Sequence, residues 1–260
     1  MATNGSSNGQ AAPNGHTTHN MAPKIILYTN HRCPYAHRAH IALEELNLPF
    51  EEVIIDLNTP RPQWYLDINP RGLVPSIKYS VPGVIDGEII TESGIVTQFL
   101  CDSFPSHLLP ASKESPFSAL KRARINFFVD TFNTKVSSFQ LAVMRASDAS
   151  EKEAKCKEWV AVIEKEIEPL LADAAPFFGG SEDLTFAEVQ AAPFLLRWYT
   201  FAVEGELIPS SFAETLDKLP NFGKWKKAIV SKASVQTIYN ESAILEGAKE
   251  KLKQMQAAHK

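Results

Sequence analysis

KIILYTNHRCPYAHRAHIALEEL, residues Lys24 to Leu46, decides how the chain is read. Ile25-Ile26-Leu27-Tyr28-Thr29 is a short apolar run rich in β-branched and aromatic side chains, the composition of a buried strand. From Pro34 to about Leu46 the apolar positions Ala36, Ala39, Leu43 and Leu46 recur three or four residues apart, which predicts a helix with one apolar face. Pro34 suits its first turn, because the missing N–H would have found no partner there. Cys33 therefore falls at a strand-to-helix junction. Cys33-Pro34-Tyr35-Ala36 looks like a disulfide-exchange motif with Ala36 in place of the second sulfur. A thiol at that junction meets unpaired backbone N–H groups and the positive end of the helix dipole. With Arg32 and Arg38 adding to the field, its thiolate is expected to be favoured. The competing reading is a buried structural cysteine.

Outward from this unit, Glu52 to Asp56 reads as a second strand and Pro62 to Ile68 as a short helix, which completes a βαβ unit. Val74 to Tyr79 and Glu88 to Thr91 are strand-like runs separated by Pro82-Gly83 and Asp86-Gly87, a hairpin pattern. A helix from Ser93 to Asp102 closes the order β-α-β-α-β-β-α. Residues 105–116, rich in Pro and Ser, read as a linker. Beyond it the pattern is helical over about 117–146, 151–173, 186–203, 221–233 and 241–257. Thr185 is placed as an N-cap with Glu188 as its box partner and Leu184 stapled against Val189. The fold class is thus an α/β domain over 22–104 followed by an all-helical domain over 117–258.

Twenty-six basic against thirty acidic residues give a formal charge of -4 without long runs of one sign, which offers no footprint for nucleic acid or an anionic membrane. Residues 1–21 lack an apolar block and the features of a signal or transit peptide, and are expected to form a disordered tail. No stretch is apolar enough to span a membrane. Three cysteines, Cys33, Cys101 and Cys156, suit a reducing compartment, so a cytoplasmic location is expected. No histidine spacing suggests a metal site, and none is expected.

With alanine at position 36, an intermediate on Cys33 must be resolved by an external thiol, for which glutathione is the obvious intracellular candidate. Val74-Pro75 opens the third strand. A cis bond there would turn the Val74 backbone toward an extended peptide ligand, while a trans proline would serve only as a strand boundary. Ser93, at a helix start, is placed to hold a carboxylate and Glu92 an ammonium; simple capping is the alternative for Ser93.

The sequence resembles the glutathione transferases, and within them the omega class. Cys33-Pro34-Tyr35-Ala36, Arg61-Pro62-Gln63-Trp64, Asn69-Pro70-Arg71-Gly72-Leu73-Val74-Pro75, Glu92-Ser93 and Thr185-x-x-Glu188 follow the family's order over about 24–235. The resemblance implies a thioredoxin-like first domain and a helical glutathione-transferase second domain. It also implies a homodimer. Catalytic Cys33 would form a mixed disulfide with glutathione. Tyr35 would join the glutathione site, Val74 and Pro75 would hold the cysteinyl part, Glu92 and Ser93 the γ-glutamyl end, and Arg61 the glycyl end. Phe128, Trp198 and Trp225 are candidates for the walls of a second-substrate pocket, against the common alternative that such aromatics are core. His37 stands where the family carries an acidic residue and is expected to alter the field at Cys33.

The activity implied is glutathione-dependent thiol transfer: release of glutathione from mixed disulfides and reduction of acceptors such as dehydroascorbate. Two alternatives stay open. One is a transferase or isomerase for a single metabolite, and the other a non-enzymatic binding protein on the same fold.

Overall fold

The structure, a computed structural model, describes residues 22–258. The tail expected over 1–21 lies outside them. Strand β1 (Lys24–Thr29), helix α1 (Pro34–Glu45), β2 (Glu51–Ile54), α2 (Gln63–Ile68), β3 (Ser76–Val81), β4 (Ile85–Thr91) and α3 (Ser93–Ser103) follow in the expected order. The sheet order is β2-β1-β3-β4, with β1 parallel to β2 and antiparallel to β3. Strands β3 and β4 form the antiparallel hairpin, and its register shifts between Tyr79 and Val81. This mixed four-stranded sheet is the thioredoxin-like domain.

Both faces of β1 are covered, and its side chains sort themselves by alternation. Ile25 and Leu27 join Ile77, Ala39, Leu43, Val96 and Leu100 beneath α1 and α3. Tyr28 faces the other way, into a smaller cluster with Ala36, Ile55, Tyr65 and Val74 under α2. Each such aliphatic or aromatic side chain contributes about 1.5–3 kcal/mol on burial, so a continuous apolar run at β1 is what a two-sided strand requires.

The second domain contains α4 (Ser118–Thr131), a π-helical turn (Phe132–Val136), α5 (Phe139–Met144) and α6 (Ala149–Glu166). After two 3₁₀ turns (Glu168–Leu171, Phe178–Gly180) come α7 (Phe186–Ala202), α8 (Ser210–Leu216), α9 (Phe222–Val230), α10 (Ala233–Gln236) and α11 (Glu241–Ala258). The single helix expected over 117–146 is broken at the π turn. There Thr131, Thr134 and Ser137 hydroxyls each donate to the carbonyl four residues back, a competition with the helical ladder that loosens it. The helix expected over 151–173 starts earlier, because the Asp148 carboxylate accepts from Glu151 N–H at 2.8 Å as its cap. It ends at Glu166, and the chain continues as a 3₁₀ turn around Pro169, whose ring supplies no N–H.

Helix α7 is the central pillar, with nearly every side chain from Phe186 to Ala202 buried. It starts as expected. Thr185 Oγ1 accepts from Ala187 N–H at 3.2 Å, and Glu188 reaches back to accept from Thr185 N–H at 2.7 Å. Glu188 is itself fully buried and also accepts from Phe178 N–H (2.9 Å) and Trp225 Nε1–H (2.6 Å). One carboxylate thus joins the α7 cap, the turn at Phe178 and helix α9. Among the described residues no helix is long and apolar enough to cross a membrane.

Candidate functional site

Cys33 is the N-cap of α1, in extended backbone geometry, with Pro34 at the first helical position. Its N–H donates to Asn30 O at 3.0 Å, which closes the turn after β1. The thiol is half-buried and faces the Val74 carbonyl, 3.9 Å from Sγ. Val74–Pro75 is a cis peptide. Cys101 and Cys156 are buried free thiols, both pushed up to about 12 by burial, so Cys33 is the one free thiol with solvent access among the described residues.

The field at Cys33 differs in balance from the sequence expectation. Burial raises its pKa and outweighs the lowering effects of the Ala36 and Tyr35 backbone N–H groups and of the Arg197 and Arg38 guanidinium ions. The helix end acts as foreseen, but desolvation of the anion acts more strongly. The cations are also different, since Arg197 takes the part expected of Arg32. Arg197 stands out in retrospect as a lone cation in the otherwise apolar stretch Pro193-Phe194-Leu195-Leu196-Arg197-Trp198. His37 adds no charge: it is fully buried, and burial together with Arg197 holds its pKa well below the usual imidazole value.

The sign of the Cys33 shift makes a prediction. A thiol whose neutral form its site favours loses its proton only above its ordinary range. Alkylation of Cys33 by iodoacetamide should therefore be slow at pH 7 and rise about tenfold per pH unit through pH 8 without a plateau. A rate already level at pH 7 would show that the cations outweigh burial.

Arg38 and Arg197 lie in the seam between the two domains, both almost wholly buried and both pulled down by burial to about 10, so they stay charged at neutral pH. Arg38 on α1 donates from Nε to Gln190 O (2.8 Å), from Nη1 to Ser93 Oγ (3.2 Å) and from Nη2 to Asn133 Oδ1 (2.8 Å). Arg197 on α7 donates to Pro193 O (2.7 Å), His31 O (3.3 Å) and Arg32 O (3.2 Å). The π turn that carries Asn133 is thus bound to α1, the helix that Cys33 caps.

The structure brings Cys33, Val74 and Pro75 together. Ser93 begins α3, where the first N–H groups lack helical partners, and its hydroxyl is oriented by Arg38. Glu92 precedes it at φ 70°, a left-handed value that a non-glycine residue adopts only under local constraint. Its carboxylate pairs with Arg71 at 2.6 Å, a partner that sequence reading passed over. Tyr35 is 47% exposed, with its ring edge on Phe194 at 5.2 Å and the Arg38 guanidinium 5.4 Å from its centroid.

Arg61 is engaged otherwise than expected. Nε donates to Gly72 O (3.0 Å), Nη1 to Asp56 O (2.7 Å) and Thr59 O, and Nη2 to Leu57 O (3.3 Å). Four of its five N–H donors are therefore taken by backbone carbonyls, and one is left for a ligand. It clamps the 56–61 loop against Gly72, where φ is 61° and an added Cβ would lie 3.0 Å from Arg61 Cγ.

The aromatic candidates are placed in the core. Phe128, Trp198 and Trp225 are each 0% exposed, so none walls an open pocket in this structure. Phe128 packs its edge on Trp225 at 5.5 Å, Trp198 lies 4.8 Å from Trp159, and Trp225 is fixed by its bond to Glu188. Helix-spaced aromatics satisfy core and pocket patterns equally, and here packing against neighbouring helices decides. Two open cavities, of about 540 and 440 Å³, lie beside Phe127 and beside Tyr199, and neither is lined by Cys33.

Residues 27–111 match the family model described as the glutathione S-transferase N-terminal domain. Pyrimidodiazepine synthase of Drosophila melanogaster is 29% identical over 161 residues, a match that spans 61% of this chain and 58% of that protein. Glutathione S-transferase DHAR2 of Arabidopsis thaliana is 28% identical over 193 residues, 74% of this chain and 78% of that one. Among solved structures, glutathione transferase Omega 2C from Trametes versicolor superposes with a TM-score of 0.71 at 29% identity, covering 88% of this chain and 99% of that chain.

Proposed function

From its place in the glutathione S-transferase family, among omega- and DHAR-like members, we propose that the chain is a glutathione-dependent thiol transferase in which Cys33 carries the reaction. The observation that supports this most is the single accessible thiol at the head of α1, set against the Val74 carbonyl and close in the chain to no second cysteine. Val74 and Pro75 would align the cysteinyl part of glutathione as an added strand. Ser93 would take the γ-glutamyl carboxylate at the α3 N-terminus, and Glu92 would share its own carboxylate between Arg71 and the ligand ammonium. Tyr35 would flank the sulfur. Arg61 would act on the glycyl end mainly by holding its loop, with the remaining N–H as the direct contact.

The chemistry needs two exchanges. The Cys33 thiolate attacks the glutathione sulfur of a mixed disulfide, forms the Cys33–glutathione disulfide and releases the partner as a thiolate. A second glutathione thiolate then attacks the bound glutathione sulfur, which gives oxidised glutathione and returns Cys33 as thiolate. A cytoplasmic setting and a homodimer belong to the same proposal.

One observation favours a second reading, a glutathione transferase or isomerase for one metabolite. A thiol kept protonated by burial can donate a hydrogen bond to a bound glutathione thiolate, as a serine or tyrosine hydroxyl would. Mass spectrometry after treatment with oxidised glutathione separates the two. The thiol transferase should gain one glutathione, located on Cys33 and removed by reduced glutathione. A protein that stays unmodified at pH 8 would exclude the disulfide intermediate.

A further inference from the structure

Beside the thiol site, three elements bring together side chains that the glutathione chemistry does not use. His31 sits in the turn after β1, His40 on α1 and Glu52 on β2, and one ligating atom of each lies within 4.8 Å of the others. We propose that His31, His40 and Glu52 form a binding site for a divalent cation of the zinc type, with two imidazoles and one carboxylate as ligands.

The donor set is of the kind that zinc accepts, and the distances are close to those it needs. Ligand atoms about 2.1 Å from a tetrahedral zinc are separated from one another by roughly 3.4 Å. Glu52 Oε1 already stands 3.4 Å from His40 Nε2. It stands 2.6 Å from His31 Nε2, so this pair must open by a little under 1 Å to admit an ion. The two members of that pair are the movable ones, with side chains 44% and 32% exposed.

The third ligand is fixed. His40 is 2% exposed and is wedged edge-on against Phe50 at 5.6 Å. One rigid ligand and two adjustable ones around a solvent-facing opening leave the remaining coordination position for water. Thr29 Oγ1, 2.9 Å from His40 Nε2, would give up that hydrogen bond on loading. That loss, together with the exposure of His31, makes binding weaker than at a closed structural site.

The ligands are 9 and 12 residues apart in sequence, a spacing that matches no metal motif, because the parallel pairing of β1 with β2 sets Glu52 opposite Leu27, from where its side chain reaches His31 and His40. An ion held there would tie the turn that ends in Cys33 to β2.

The test uses the full chain with Cys33→Ser, so that no accessible thiolate competes for metal. It is titrated with Zn²⁺ by calorimetry and with Co²⁺ by absorption. The expected result is one equivalent bound, Co²⁺ bands without sulfur charge transfer, and at least tenfold weaker binding in each of His31→Asn and Glu52→Gln. Both substitutions fall on side chains with solvent access, and their melting temperatures without metal should match the parent. The parent alone should gain several degrees with Zn²⁺. Absence of binding at millimolar Zn²⁺, or equal affinity in parent and both variants, would overturn the assignment; the latter would place the ion on other histidines.

Discussion

Cys33→Ser should lower disulfide reduction by a factor on the order of 10³ or more, because a hydroxyl cannot form the disulfide intermediate on which the proposed exchange depends. The same substitution should leave conjugation of glutathione to an aromatic halide intact or raise it. Serine at the α1 N-cap still presents a hydroxyl to a glutathione thiolate, and it does so without the bulk of sulfur beside the Val74 carbonyl. Side-by-side assays of both reactions in the two proteins decide the matter. Retained disulfide reduction in the serine variant would end the single-thiol mechanism, and loss of both activities would point to a collapsed glutathione site.

Glu188→Ala should be the most damaging substitution in the second domain. It removes the acceptor for the N–H groups of Phe178 and Thr185, the Thr185 hydroxyl and the Trp225 indole, all in a fully buried setting. Each of these four orphaned buried donors costs about 1–3 kcal/mol, so a loss of about 4–12 kcal/mol is expected, comparable to a typical total of about 5–15 kcal/mol. Urea unfolding of purified protein should show this as a large fall in the midpoint, with Glu188→Gln in between because the amide keeps one acceptor oxygen. A loss below about 1 kcal/mol for the alanine variant would mean that water or a neighbouring group replaces the carboxylate.

What could be foreseen in the sequence was what neighbouring residues settle among themselves. Strand β1, the start of α1 at Pro34 and the box at Thr185 and Glu188 rest on composition and capping over a few residues, and they stand where those signals put them; the β3–β4 hairpin forms as expected in kind, but it turns at 82–84 and takes Asp86-Gly87 into β4. Helix α8 was missed: its seven residues carry only Phe212 and Leu216 as a buried pair, too short a pattern to stand out. The wider roles of Glu188 depend on Phe178 and Trp225, ten and 37 residues away, and capping chemistry alone does not reveal them. Arg61 shows the same limit. Its position suggests a ligand contact, but whether its donors remain free is decided by the path of the 56–61 loop. The net direction of the Cys33 shift likewise rests on how deeply the folded chain buries the sulfur, a quantity with no local signature.

The two seam arginines exchange hands. Arg38 leaves the first domain to satisfy Gln190 and Asn133 of the second, and Arg197 leaves the second to satisfy the His31 and Arg32 carbonyls of the first. A chain divided at the linker would leave each half with an unsheltered cation and with acceptors stripped of their donors. The halves are therefore fitted to each other rather than exchangeable modules: a foreign helical domain grafted onto this sheet would leave the His31 and Arg32 carbonyls without the donor that Arg197 supplies.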